Sequence, residues 1–487
     1  MLIIALFLIN AGMNFAISLI LASLLGPESF GLYAIAFSAA VVTNIIVFDW
    51  IRLSATRFYS DTARINTPEV RATLDILQAG MSILVLTIVS VLIILGVDFG
   101  IPTLLIIITS FSAIISSLYD YRTALVRARF LDKPYAKLIL VKNIISLILM
   151  VTGAWYFKDV NVVLSGYIIS MIAALLTVRS VIDDKKTAFK LFESKLARKY
   201  LVYGSYLVIA HGIYQLMPFV NRSVIGAYFG FAEAGFFALS SDVGFRLFAA
   251  MGSSMDILLF QKAVQREIDE GLDASQAQIS HNLLVIIMLT LPACLGYMFV
   301  LPVFADIFVP DIFKTSFVEY GTVLAPSLFL LCLIQYGFTP IFQIKHKTGI
   351  VSFAAFIGLI VNICGVTLII FSNGSSLSIA YVQTFSMICV AIISGYSAYK
   401  EADTWPRIRD VLLCIFSCII MAFALWPLRS IGWNSYILLP FMIIIGVAVY
   451  GALVVMLNVG GSTLNLKSHA LSLMEKIRGI PKNVSHH

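Results

Sequence analysis

The sequence predicts an all-α membrane protein of about fourteen transmembrane helices, built as two parallel six-helix bundles followed by two extra C-terminal helices. Three observations predict it: a composition that lipid solvates better than water, apolar runs of membrane-crossing length, and basic residues that alternate from one connection to the next. Of the 487 residues, 60% are hydrophobic and 12% are charged, with a mean hydropathy of +0.97. A water-soluble fold of this length cannot hide so much apolar side chain.

A crossing needs about 20 apolar residues. That template places spans at 2–25, 31–51, 74–96, 101–120, 138–157, 160–178, 201–229, 235–260, 282–303, 320–341, 350–371, 376–398, 411–430 and 434–457. The first run begins at Leu2 with neither a basic leader nor a small-residue cleavage site. It therefore reads as a span rather than a signal peptide, with room for a native start upstream of Met1.

Basic residues resist translocation and so mark the cytoplasmic side. Connections after even-numbered spans carry Arg52, Arg57, Arg64 and Arg71, then Arg122 to Lys137, then Arg179 to Lys199, and so on to the C-terminus. Connections after odd-numbered spans hold only Lys158, Lys314 and Arg429. A miscounted span would invert this pattern partway along, and it never inverts. The span number is therefore even, and both termini are expected in the cytoplasm of a polytopic inner-membrane protein.

The same distribution explains the formal charge of +7. The cations act as topology signals lying against anionic lipid, so membrane lipids are expected partners and nucleic acid is not. Opposite-face connections are short, the longest running over about 304–319. That leaves no external platform for a polymerase or ligase. Nucleotide-binding, zinc and nucleophile motifs are missing, so no enzyme activity, cofactor or metal is expected. All six cysteines lie within apolar runs and read as free thiols. In the tail, Leu466, Ala470, Leu473 and Ile477 fall on one helical face, which predicts an amphipathic helix on the inner membrane surface.

An internal repeat organises the spans. The junction of spans one and two reads Leu25-Gly26-Pro27-Glu28-Ser29-Phe30-Gly31-Leu32-Tyr33-Ala34. That of spans seven and eight reads Phe229-Gly230-Phe231-Ala232-Glu233-Ala234-Gly235-Phe236-Phe237-Ala238. At a constant offset of 204 both glycines, the alanine and two bulky positions coincide. Glycine serves where the backbone bends and where two helices pack closely. Duplication across six spans, an even number, keeps both halves in one orientation. The expected plan is an N-terminal bundle over 1–180, a basic cytoplasmic linker over 181–200, and a second bundle over 201–398. Spans thirteen and fourteen occupy 399–458, and the cytoplasmic tail 459–487.

The Gly26–Ala34 turn resembles the signature of bacterial polysaccharide-transport (Wzx-type) proteins, of the multidrug/oligosaccharidyl-lipid/polysaccharide exporter superfamily. The inner segment Arg52-Leu53-Ser54-Ala55-Thr56-Arg57-Phe58-Tyr59 is similar to theirs as well. The resemblance implies two bundles that open alternately to either side. It also implies a flippase moving undecaprenyl-pyrophosphate-linked oligosaccharide, with polysaccharide polymerase or export machinery as further partners. Fourteen spans favour this branch over the twelve of drug exporters, the last two accommodating the lipid tail. An ion-coupled multidrug exporter of the same superfamily is the alternative.

Ionisable residues within a span cost a few kcal/mol and need a partner, a wet cavity or a task. Spans seven and eight carry His211, Arg222, Asp242, Arg246 and Asp256. Arg222 and Asp242 each lie seven residues from the same face, at roughly 10 Å depth. Asp242 can pair across to Arg222 or along its helix to Arg246. One aspartate cannot neutralise two arginines, so a surplus cation is expected to face a wet cavity and bind phosphate oxygens. Arg246 is the first candidate and Arg222 the second.

Near the inner end of the first half, Arg52 and Lys142 either snorkel to headgroups or join that cationic lumen. With no glutamate inside a predicted span, Asp49, Asp242 and Asp256 are the candidate ion-coupling or charge-pairing carboxylates. His211 is either a titrating group or a hydrogen-bonded structural one. Pro218, one turn before Arg222, is a hinge or a packing kink. Tyr206, Tyr214, Phe219 and Tyr228 read as packing or interfacial aromatics.

Overall fold

The computed structural model describes residues 2–182, 191–345 and 347–461, without the side chains of 2–8, 182, 205–207 and 256–258. The predicted amphipathic tail and part of the predicted linker lie outside the described residues. Within them the chain is helical and contains no strand.

The helices, in order, are α1 (Leu2–Thr43), α2 (Asp49–Phe58), α3 (Asp61–Asn66), α4 (Pro68–Ile94), α5 (Thr103–Ala128), α6 (Asp132–Phe157), α7 (Val160–Thr177) and α8 (Arg179–Ile182). There follow α9 (Ser194–Phe229), α10 (Phe231–Glu270), α11 (Leu272–Phe308), α12 (Asp311–Cys332) and α13 (Thr339–Ile344). The last four are α14 (Gly349–Phe371), α15 (Ser376–Glu401), α16 (Ile408–Leu425) and α17 (Ser435–Met456). A π-helical turn over Asn44–Phe48 joins α1 to α2, and another over Leu333–Phe338 joins α12 to α13.

Twelve of these segments are long and apolar enough to cross a membrane. One of the twelve, Ile9–Phe58, has 50 residues, about 75 Å of helix at 1.5 Å per residue and far more than one bilayer core. It breaks at Gly26 and so makes two crossings. The helix missing from the twelve is α9, which is long enough at 36 residues. Lys195, Arg198, Lys199, His211, Asn221 and Arg222 lower its hydropathy. With the two arms of the kinked segment and α9 counted, the described residues hold fourteen helical stretches of crossing length, and the all-α membrane class read from the sequence stands.

The chain divides into two compact units: residues 1–250, 308–331 and 342–397 form one, and 251–307, 332–341 and 398–487 the other. In the first, Phe48, Ile51, Leu74, Tyr121 and Tyr200 bring α2, α4, α5 and α9 together. Tyr119, Val126, Leu138, Met171 and Ala174 close α5, α6 and α7. In the second, Val303 of α11 packs with Met421 and Leu425 of α16 and with Leu438 and Met442 of α17. Asp159 and Asn434 cap α7 and α17, each accepting a hydrogen bond from a backbone N–H two residues on.

The 204-residue repeat is written into the backbone. Gly26 has φ 74° and ψ 172°, and Gly230 has φ 96° and ψ 158°. Both occupy a region essentially reserved for glycine. A Cβ at either would meet nothing within 4 Å, so the demand for glycine comes from the backbone alone. We predict that Gly26→Ala and Gly230→Ala each cost about 1–3 kcal/mol. Each should lower the melting temperature in detergent. Gly12→Ala, also open to 4 Å but inside a helix, should not. Equal melting of all three variants would show that the kinks do not depend on glycine.

Candidate functional site

Within the first unit, α1, α9, α10, α12 and α15 enclose a cavity of about 220 Å³. Arg222, Asp242 and Arg246 line it, with Ser38, Ser241 and Gln383 as further polar groups. Helical spacing explains the convergence: Ser241, Asp242, Phe245 and Arg246 stand three to four residues apart on one face of α10. On α9, Tyr214, Gln215, Pro218, Phe219 and Arg222 do the same. The aromatics Tyr214 and Phe219, read from sequence as packing, are cavity wall. Tyr228 is 65% exposed, and the side chain of Tyr206 lies outside the described residues.

Of the two pairings open to Asp242, the structure takes the one across helices. The Nη2 of Arg222 donates to Asp242 Oδ1. Arg222 is only 6% exposed, so this carboxylate stabilises a cation that burial would otherwise penalise. Arg246 has a different partner: its Nη2 donates to Ser18 Oγ at 3.1 Å. Among the described residues no carboxylate comes within ion-pair distance of Arg246, and its Nε is buried without an acceptor. The Nε of Arg222 is likewise unmatched. Two buried guanidinium N–H groups are thus left without an acceptor beside a cavity whose wall is mostly apolar. The helix α9 continues through Pro218.

A second polar group of the same unit surrounds the π turn. Such turns shift the side chains that follow them and recur at functional sites. Here the turn is followed directly by Asp49, whose Oδ2 accepts from Arg52 Nη2 at 3.0 Å and stands 3.9 Å from His211 Nδ1. Asn44, at the start of the turn, donates to Asp120 Oδ2 at 2.9 Å. The candidates Asp49, Arg52 and His211, distant in sequence, are therefore neighbours.

Lys142 requires a correction. It lies ten residues into α6, about 15 Å along the axis, and is 9% exposed. It does not snorkel. Its Nζ donates to Asn143 Oδ1 at 3.1 Å and sits 6.0 Å from the Tyr167 ring centroid. Asn143 in turn donates to Asn10 Oδ1 at 2.9 Å. Lys142 also lies within electrostatic reach of Asp120 and Arg246, so the two polar groups act on each other.

Two carboxylates escaped the sequence reading. Asp120 sat at the last residue of a predicted span, but α5 runs on to Ala128 and carries it inside. Glu233, in the first turn of α10, accepts from Tyr320 Oη at 2.8 Å and Ser376 Oγ at 2.9 Å. That bonding reads as structural. The side chain of Asp256 lies outside the described residues. Arg52, Lys142, Arg222 and Arg246 face Asp49, Asp120 and Asp242, so four cations meet three carboxylates before His211 is considered. Among the described side chains the excess is positive, and Arg246 and Lys142 are the two of these cations held by neutral partners and by no carboxylate at ion-pair distance. No group of three or more potential metal ligands occurs among the described residues.

A family described as polysaccharide biosynthesis protein matches residues 1–244, half of the chain. Among solved structures, the chain is similar to the lipid II flippase MurJ in an inward closed conformation. The TM-score is 0.72 and the identity 14%, with 93% of this chain and 98% of that one covered. It is also similar to a multidrug resistance MATE family transporter of the MOP superfamily in an inward-facing conformation. There the TM-score is 0.59 and the identity 13%, covering 81% and 94%. A MATE structure in the straight conformation gives 0.54 and 14%, covering 82% and 95%. At such identities the likeness is one of fold. No curated protein matches the sequence.

Proposed function

Since this chain belongs to the polysaccharide biosynthesis protein family, we propose that it is a flippase of the bacterial inner membrane with both termini in the cytoplasm. It carries undecaprenyl-pyrophosphate-linked oligosaccharide from the inner to the outer leaflet. Arg246 carries this reading: a guanidinium on a cavity wall, held by a hydroxyl rather than a carboxylate. A pyrophosphate in hydrocarbon must regain the hydrogen bonds it had in water. A planar, permanently charged fork returns two of them at once.

Arg222 plays a different part. Its pairing with Asp242 fixes the guanidinium on the wall, so it offers a weaker, preset second contact. Arg52, 38% exposed at its side chain, forms an earlier station near the inner end, and Lys142, buried deeper along α6, adds its charge from behind the wall. At roughly 30 Å³ per water, the 220 Å³ cavity holds about seven waters, enough for a hydrated phosphate group and too little for a sugar chain. The glycan therefore requires the cavity to widen, as alternating access supplies.

The test is reconstitution in liposomes with fluorescent undecaprenyl-pyrophosphate oligosaccharide, quenched from outside. We expect protein-dependent exchange between leaflets, slowed by Arg246→Gln. Exchange indistinguishable from empty liposomes, alongside drug efflux that depends on Asp242, would favour the multidrug exporter instead. The positive excess weighs against that outcome, because it repels a cationic drug.

A further inference from the structure

A groove of about 260 Å³ runs between the ends of α5 and α7 and shares no residue with the arginine-lined cavity. Ile115 and Leu118 line it from α5, and Ile172, Leu175 and Leu176 from α7. Arg122 and Arg179 complete it. The spacing is the same on both sides: Arg122 follows Ile115 by seven residues, and Arg179 follows Ile172 by seven. Seven residues are two helical turns, about 10 Å. Both arginines stand where their helix runs into a basic connection, the end that the positive-inside rule assigns to the cytoplasm. An apolar floor two turns long, ended by two guanidinium groups, has the outline of one phospholipid: acyl chain, then phosphate.

The groove is held in shape by the core behind it. Ile115 and Leu175 rest on the buried cluster of Tyr119, Val126, Met171 and Ala174, so the floor does not depend on an occupant. Arg122 is likewise positioned in advance. Its guanidinium carbon sits 5.5 Å from the Tyr121 ring centroid, and its Nη1 stands 3.7 Å from Asp75 Oδ1. At that distance the contact is an ion pair without a hydrogen bond. Asp75 accepts instead from Arg71 Nε at 2.8 Å and from Tyr121 Oη at 2.7 Å. Arg122 therefore keeps hydrogen-bond donors to offer an anion.

The neighbouring backbone is prepared for negative charge as well. The last carbonyls of a helix repel an anion, and α7 ends beside the groove. Lys137 Nζ donates to the Thr177 carbonyl at 3.0 Å, and Arg129 Nη1 donates to the Val181 carbonyl at 2.9 Å. Cations thus cover the oxygens that would oppose a phosphate there.

We propose that this groove is a binding site for an anionic phospholipid of the cytoplasmic leaflet. Arg122 and Arg179 hold the phosphate, and an acyl chain lies along Ile115, Leu175 and Leu176. A choline headgroup carries a cation of its own, which the two arginines repel, so the site selects phosphatidylglycerol over phosphatidylcholine. The occupant is a resident lipid that ties α5 to α7 and is not cargo. The site stands apart from the flippase reading.

The experiment is native mass spectrometry of the purified chain, titrated with phosphatidylglycerol and then with phosphatidylcholine of the same acyl chains. In Arg122→Gln/Arg179→Gln the first phosphatidylglycerol should bind about thirtyfold more weakly, as loss of two cations at a membrane surface implies. Phosphatidylcholine should bind both proteins equally. Lys262→Gln/Arg266→Gln removes two cations from the end of α10 and should leave phosphatidylglycerol affinity unchanged. Equal losses in the two double variants would make the attraction diffuse and overturn the site, as would parental affinity in the groove variant.

Arg122 also serves Asp75, so a groove variant that fails to fold is replaced by Arg179→Glu. That residue is exposed, and reversing its charge should weaken phosphatidylglycerol by a similar factor; unchanged affinity overturns the proposal. Undecaprenyl phosphate is added as a competitor and should displace phosphatidylglycerol only at higher concentration. Displacement at lower concentration, lost in the groove variant, would make the groove a dock for a carrier lipid and overturn the phospholipid assignment. No arm requires transport. Selective phosphatidylglycerol binding without leaflet exchange would reject the flippase reading and leave this site in place.

Discussion

Arg246→Gln is expected to reduce polysaccharide export roughly ten- to a hundred-fold in a deletion strain, with normal amounts of protein in the membrane. A hydrogen bond to a charged group contributes about 1.5–3 kcal/mol, and about 1.4 kcal/mol is a factor of ten in affinity. Glutamine keeps the apolar stem and a polar tip but ends two bonds short of Nη2, so the positive charge and the bond to Ser18 are lost together. Arg246→Lys should recover part of the activity, because an ammonium keeps the charge but contacts phosphate as a point rather than a fork. Ser18→Ala should have little effect if Ser18 only parks the guanidinium between substrates. Surface polysaccharide measured against immunoblotted protein distinguishes these outcomes. Full export by Arg246→Gln would remove Arg246 from the substrate path.

What could be read from the sequence follows from how local each determinant is. Apolar length is local, and thirteen of the fourteen predicted spans coincide with segments that are long and apolar enough to cross. The remaining one, α9, was read as a span from its apolar length despite its charges, and the alternation of basic connections agreed with a crossing there. The special glycines were legible at Gly26 and Gly230 because a residue type and a repeat offset coincided. Equal depth of Arg222 and Asp242 suggested their pairing.

Determinants set by packing were hidden. Asp120 entered the membrane region because α5 runs eight residues past the predicted span, and a hydropathy template cannot follow a helix into its polar end. Asn10, Asn44 and Asn143 hold much of the polar network, yet uncharged amides escape a search for charge. The π turn that precedes Asp49 has no recognisable sequence signature. Gly31 and Gly235 were half legible: the sequence shows two small residues, and only coordinates show that a Cβ on either would strike the backbone of the other's helix.

The second large effect concerns Arg222 and Asp242. Arg222→Ala should destabilise the protein by about 3 kcal/mol, the lower end of what breaking a buried pair costs. The lower end applies because Asp242 keeps 25% exposure at its side chain and can draw on cavity water. Asp242→Ala should cost at least as much, since it strands the less exposed partner, whose Nε already lacks an acceptor. The double variant Arg222→Ala/Asp242→Ala leaves neither charge uncompensated, so it should be more stable than the two single losses predict. The expected coupling is about 1–3 kcal/mol, read from denaturation in detergent. Export separates the structural pair from a substrate contact. If Arg222 serves only to neutralise Asp242, the double variant regains export along with stability. If it also touches the pyrophosphate, stability returns and export does not. A coupling near zero would mean that water, not Asp242, holds the Arg222 guanidinium in place.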